Sequence, residues 1–354
     1  MKAIEVIKRF CSRSIVRCAI ILGLLIFAFI IGYKYATLQI SPEPPKNTLV
    51  SEIRESGYQF TNPLLECAQA EGRLNRHLLG FRSEIEEYVS NKKADGIVSD
   101  IGVYYRDLNN GPWFGVNERQ DFLPASLLKL PLMLNFYKIA ETRPQILQEK
   151  LTLQERFPLD GLKQLFPPHQ EIQPGTEYTF EELLQRAIIF SDNQAAELMY
   201  TSALPHLESQ GMLENAPPGI NADLRYLESI FGENKEALSA KSYSTFFRIL
   251  FNASYLDRLL SERALSILAQ VEFPHGLEAG IPKDLPIAHK FGEAGSDAHG
   301  YELHDCGIIY YPKTPYLLCV MTKGKNPALL PGIIADISKI AYEQVHAQEP
   351  EKQD

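Results

Sequence analysis

Cysteine is scarce in this chain, with 5 residues in 354, and tryptophan occurs once. So few thiols exclude a disulfide scaffold, and an odd number leaves at least one of them unpaired within the chain. Positive charge is also short. Lys and Arg total 35 against 44 Asp and Glu, a net of −9, which excludes nucleic acid as the main partner. There is no internal repeat and no low-complexity tract. No zinc-enzyme motif surrounds His299, His304 and Asp305, so they are not assigned a metal.

Long apolar runs are missing too, except at the start. Residues 1–36 carry Lys2, Lys8, Arg9, Arg13, Arg17 and Lys34 against Glu5 alone. That net of +5 leaves −14 for the rest of the chain within the total of −9. The run from Cys18 to Tyr33 is uncharged. With Lys34 snorkelling it reaches Ala36, close to the ~20 residues that cross a bilayer. The basic flank lies before it, which keeps the N-terminus in the cytoplasm and exports the body. No small-x-small cleavage site follows at 33–38, so the segment reads as an uncleaved anchor rather than a signal peptide. The expected organisation is a cytoplasmic basic segment 1–17, a transmembrane helix 18–36, a linker 37–50 containing SPEPPKN, and a domain 51–354 outside a single-pass membrane.

Within that domain, helical spacing occurs at 81–89, 126–141, 179–200, 240–251, 262–270 and 333–345. Strand patterns occur at 97–108 and 112–116, joined by Asn110-Gly111, and again at 286–291, 306–311 and 316–322. Two strands stand early and three stand late. The economical fold is α+β: one antiparallel sheet built from both ends of the chain and flanked by N- and C-terminal helices. An all-helical subdomain is inserted at about 126–280, with a cleft where the insert meets the sheet. Cys306 and Cys319 lie on the last two strands. A turn centred between the prolines at 312 and 315 makes them diagonal neighbours, ~7–8 Å apart, so they are expected as free thiols.

Ser126 and Lys129 follow Pro124-Ala125 at a helix start, three residues apart on one face. A serine hydroxyl needs a base, and a buried lysine near another cation can be one. Taken alone, the pattern is common: Ser90-Asn91-Lys92-Lys93 also contains it. Ser191-Asp192-Asn193 interrupts two helical stretches and, alone, reads as an ordinary helix cap. Lys290-Phe291-Gly292 ends a strand.

Together, in this order, the three elements resemble the signature set of class A β-lactamases and penicillin-binding proteins. The resemblance extends through FLPASLLKLPLML at 122–134, PGTEYTFEELLQRAIIFSDNQAAELM at 174–199 and HKFGEAG at 289–295, spanning about 80–345. It implies a serine β-lactamase/DD-peptidase-like fold and an acylating serine hydrolase without a cofactor, acting on β-lactams or the peptidoglycan stem peptide. Ser126 would be the nucleophile and Lys129 its proton acceptor. Ser191 would relay the proton to the leaving nitrogen, and Lys290 would supply positive charge. Asn193, Phe291, Gly292 and Glu293 would line the substrate site, with the backbone N–H groups of Ser126 and Glu293 as the oxyanion hole.

Two departures stand out. Position 291 is Phe where the family has Thr or Ser, which removes a hydroxyl that helps bind the substrate carboxylate. Between 201 and 250 no E-x-x-x-N occurs, so the family's deacylating Glu has only positional candidates: Glu208, Glu214, Glu228, Glu233 and Glu236. The resemblance leaves three activities open: β-lactamase, a slowly turning D-alanyl-D-alanine carboxypeptidase, and a non-catalytic β-lactam or peptidoglycan sensor.

Overall fold

The computed structural model describes residues 53–54, 57–66, 76–109, 111–158, 164–203 and 237–348. The expected anchor and linker, Cys67 and the five candidate glutamates lie outside the described residues.

Five antiparallel strands form the main sheet: β3 (Asp100–Asp107), β4 (Trp113–Val116), β7 (Ile287–Ser296), β8 (Gly300–Ile309) and β9 (Tyr316–Gly324), in the order β4-β3-β9-β8-β7. Sequence-distant β3 and β9 pair along their whole length, from Asp100 opposite Lys323 to Asp107 opposite Tyr316. Two small ladders, β1 (Ile53–Arg54) with β2 (Leu64–Glu66) and β5 (Lys150–Thr152) with β6 (Glu177–Thr179), are separate.

Terminal helices cover one face. Helix α1 (Arg76–Ala94) buries Phe81, Ile85 and Val89, the i, i+4, i+8 stripe of an amphipathic helix. Phe81 meets Tyr105 and Phe114 edge-on, with ring centroids 4.9 and 4.7 Å apart. Helix α7 (Leu330–His346) buries Ile333, Ile334, Ile337, Ala341 and Val345, and its Asp336 accepts a 2.6 Å hydrogen bond from the Tyr88 hydroxyl of α1.

The remaining helices come from the middle of the chain: α2 (Lys129–Ala140), α3 (Phe180–Ile189), α4 (Asn193–Leu198), α5 (Ala240–Phe251) and α6 (Arg258–Leu268). Their starts obey local chemistry. Thr179 with Glu182, and Ser239 with Ser242, form capping boxes, and Asp257 caps α6. Helix α5 lies on the other sheet face, where Lys241 sits 3.9 Å over the Trp113 ring and Trp113 stacks on Tyr104.

Four expectations are corrected. The insert at about 126–280 is not all-helical, because β5 and β6 pair within it, from Lys150 opposite Thr179 to Thr152 opposite Glu177. Cys306 and Cys319 are disulfide-bonded, not free. The turn runs Tyr311–Thr314, closed by the Thr314 N–H to Tyr311 O, with Lys313 left-handed at φ +63°. Its centre therefore precedes the midpoint of the two prolines, and Cys306 falls directly opposite Cys319. Ser126 does not open an α-helix: it lies in a 3-10 turn, Ala125–Leu128, that leads into α2. The polar stretch between the expected strands 286–291 and 306–311 is itself sheet, with Ile287 to Ser296 paired against Gly300 to Ile309.

Candidate active site

The strands bring the third motif to the nucleophile turn. β7 is an edge strand, so its outer row of backbone groups is not used by the sheet. Gly292 is required by closeness. A Cβ there would stand 3.0 Å from both Leu127 Cγ and Leu127 N and 3.3 Å from Pro124 O, so β7 packs directly on the 124–127 backbone.

The turn carrying Ser126 is held from several sides. Ala125, just before it, has φ +48°, a strained conformation for a residue with a Cβ. Tyr243 of α5 donates to Leu127 O at 3.0 Å, and Tyr200 to Leu128 O at 3.3 Å. From β8, the Glu302 carboxylate accepts the Leu123 N–H at 2.7 Å, while His304 Nε2 donates to Leu123 O at 3.0 Å. Ser126 itself is partly exposed.

Lys129, three residues on, is buried, 5% exposed. Its Nζ donates to Ser191 O and Asn193 Oδ1, both at 2.6 Å, and lies 3.2 Å from Ser191 Oγ. Burial lowers this lysine to about 7, although the negative charges of Asp192 and Glu293 pull the other way. Lys290, fully buried, donates to Ser191 Oγ and Phe291 O, each at 3.0 Å. Burial, and Lys129 beside it, hold Lys290 well below the ordinary lysine value. The Ser191 hydroxyl thus stands between two buried amines.

The second motif is a strained turn rather than a simple cap. Ser191 has φ +55°, and Asp192, fully buried, is the residue that caps α4, accepting from the N–H groups of Gln194 and Ala195. Its other oxygen takes the Ile172 N–H at 2.8 Å, tying this turn to the segment before β6. Glu293 ties down another part of that segment, accepting the N–H groups of Leu165 at 2.9 Å and Phe166 at 3.1 Å. Burial raises the Glu293 carboxyl above its ordinary value.

Of the eight residues singled out from sequence, Lys129, Ser191, Asn193 and Lys290 are joined by hydrogen bonds, and Ser126 and Gly292 meet through the nucleophile turn. Glu293 lies on the same strand, within electrostatic reach of Lys129 and Lys290. Phe291 is 3% exposed and stacked on Phe273, ring centroids 4.1 Å apart, and Lys290 Nζ lies 4.3 Å from its ring centroid. The supporting residues Ala125, Asp192, Tyr243 and Glu302 were not singled out, and His304 was weighed only as a metal ligand. Only Asp192 had a signal, as the middle of its motif; the others depend on neighbours distant in sequence.

A serine, two buried lysines and a serine–asparagine turn at a sheet edge form a candidate active site, with the three motif elements of the serine β-lactamase/DD-peptidase-like kind gathered in one place. Residues 80–345 match the β-lactamase enzyme family, and the chain belongs to that family. Among solved structures, a β-lactamase from Xanthomonas campestris pv. campestris superposes with a TM-score of 0.60 at 20% identity, covering 77% of this chain and 100% of that one. A class A β-lactamase from Mycobacterium abscessus gives 0.56 at 19%, covering 74% and 98%. PBP-A, in a mutant acyl-enzyme complex with penicillin G, gives 0.57 at 21%, covering 76% and 97%. No curated protein matches the sequence.

Proposed function

We propose that this protein is a membrane-anchored serine hydrolase that forms an acyl-enzyme at Ser126 and hydrolyses β-lactam amides on the outer side of the membrane. The observation that carries this reading is the Ser191 hydroxyl between Lys129 and Lys290. A neutral amine has two N–H donors and one lone pair. On Lys129, the two acceptors at 2.6 Å use both donors; its lone pair, with Ser191 Oγ 3.2 Å away, is the proposed acceptor of the Ser126 proton once it turns toward the Ser126 hydroxyl. With its oxygen facing both amines, Ser191 is suited to pass its own proton to the leaving nitrogen and to be reprotonated from Lys129. Asn193, whose Oδ1 already accepts from Lys129, keeps its NH₂ for the substrate's acyl carbonyl. The N–H groups of Ser126 and Glu293 are the proposed oxyanion donors.

A second reading is favoured by two observations. The described and undescribed residues from 201 to 250 contain no E-x-x-x-N, and PBP-A is among the similar folds. In that reading the enzyme is a D-alanyl-D-alanine carboxypeptidase that acylates and is slow to release. Intact-mass measurement after adding penicillin, followed over time, tests both. An adduct that disappears within seconds supports the β-lactamase, one that persists supports the carboxypeptidase, and no adduct refutes both and leaves the non-catalytic sensor.

A further inference from the structure

We propose that Glu302 and His304 are positioning residues for Ser126: they clamp the backbone of Leu123, hold Ala125 in its left-handed conformation, and so set the Ser126 hydroxyl and N–H for acyl transfer. This rests on the acyl-transfer reading above.

The segment entering the nucleophile turn is gripped by its backbone. The Leu123 side chain is 49% exposed, so packing does not place that residue. Phe122 exchanges both of its backbone hydrogen bonds with Leu238, at 2.9 and 2.8 Å. Its ring lies against β3 at Gly102, where a Cβ would stand 3.0 Å from Phe122 Cε2. Leu123 then donates its N–H to Glu302 at 2.7 Å, and its carbonyl accepts from His304 Nε2 at 3.0 Å. Pro124 has no N–H, and its carbonyl accepts from the Leu127 N–H at 3.1 Å. Every backbone polar group of 122–124 is therefore in use, up to the residue whose φ is +48°.

Strand β8 supplies this grip from one face. Glu302 and His304 are two residues apart, so both side chains point the same way, and both are buried. The second Glu302 oxygen bonds Lys323 of β9 at 2.8 Å, which fixes the carboxylate from the far side. The His304 ring meets Phe122 edge-on, centroids 5.4 Å apart. Its Nδ1 is buried with no hydrogen-bond partner among the described residues. Such an orphaned nitrogen costs stability, and a phenylalanine would keep the edge contact without it. What phenylalanine lacks is the donor to Leu123 O.

The strain at Ala125 gives the clamp its effect. A residue with a Cβ keeps positive φ only where its surroundings over-determine it. Released at Leu123, the chain can rotate and Ala125 return to negative φ. Ser126 moves with it, and a misplacement of about 1 Å can cost about 10²-fold in rate.

The test follows acylation of the full chain by benzylpenicillin, using intact mass at a series of concentrations. This separates the first-order acylation step from the half-saturating concentration. Glu302→Ala should slow that step about tenfold or more and move the half-saturating concentration less than about threefold. Glu302→Gln keeps an acceptor for the Leu123 N–H and should stay within about threefold of the wild type. The decisive comparison repeats Glu302→Ala in the Ala125→Gly background. Glycine adopts positive φ without strain, so the change should there slow the step less than about threefold. His304→Phe should follow the same pattern, and decides the matter if Glu302→Ala does not fold. A folded Glu302→Ala that is slowed less than expected overturns the proposal, as does a loss that Ala125→Gly leaves undiminished. A wild-type protein that forms no penicillin adduct at Ser126 overturns the acyl-transfer reading, and the proposal with it.

Discussion

At the scale of single residues, the candidate site holds two lysines that burial has stripped of their ordinary basicity. Lys129 at about 7 is half neutral near neutral pH and fully charged in acid. Only the neutral form can accept the Ser126 proton, so the acylation rate should climb as pH rises through about 7 and level off above it. A penicillin-labelling rate that is flat from pH 5 to 9 would remove Lys129 as the base. Lys129→Ala should slow acylation by roughly 10²–10⁴-fold, the usual reach of a general base. Ser126→Ala should abolish labelling by a fluorescent penicillin while leaving the circular dichroism spectrum intact. Ser90→Ala should change neither, because Ser90 is exposed on α1 and its Lys93 pairs with Asp100 at 3.6 Å rather than with a serine turn.

At the scale of elements, the sheet is what brings the motifs together. Lys290, Cys306, Cys319 and Tyr104 lie in one row across β7, β8, β9 and β3, so the disulfide backs the strand that carries Lys290 directly. Both cysteines are fully buried. Alkylation of the folded, unreduced protein should therefore leave both unmodified, and a 306–319 crosslinked peptide should appear in the digest. Replacing both by Ala opens a loop of 13 residues' separation and should cost about 2–3 kcal/mol, seen as a lower Tm. Glu302 on β8 is a second support. Burial pushes its carboxyl up, but the bonds from His304, Lys323 and the Leu123 N–H outweigh this and hold it at about 2. Its contribution to stability is thus present above the ordinary value of 4.5 and is lost as pH falls toward about 2.

What could be read in the sequence divides along the same line. The five strands, the terminal helices and the motif residues were legible because each is a local pattern: alternation, a 3.6-residue stripe, or chemistry at fixed spacing. The extension of β7 and β8 was not, because Glu302, His304 and Asp305 look like loop residues until their partners, Leu123, Lys323, His289 and Leu277, are brought from elsewhere. The cysteine register failed for a smaller reason, a turn set by a left-handed Lys313 rather than by the flanking prolines. No local signal marks Ala125 or Ser191 for positive φ, since neither is Gly, Asn or Asp.

At the scale of the whole molecule, two properties join the site to its setting. The proposed anchor puts the body outside, so protease added to intact cells should digest the domain from about residue 50 onward, and full protection would invert the topology. The two halves of the reaction are also unequally equipped. Acylation has candidates for every role: Ser126, Lys129, Ser191 and two backbone donors. Deacylation needs a base aimed at water on the ester, and the sequence from 201 to 250 lacks the family's Glu and Asn spacing. If that carboxylate is absent, a loss of ~3–4 kcal/mol slows the second step by roughly two to three decades. Product should then appear as a burst equal to the enzyme, followed by slow turnover, with the adduct mapped to Ser126 by mass. Phe291 acts on the first step alone, so Phe291→Thr should hasten acylation of a carboxylate-bearing penicillin without hastening its release. Rapid steady turnover with no trapped adduct would locate the missing base instead among Glu208, Glu214, Glu228, Glu233 and Glu236. Single Gln replacements there would find it by the one variant in which the burst returns.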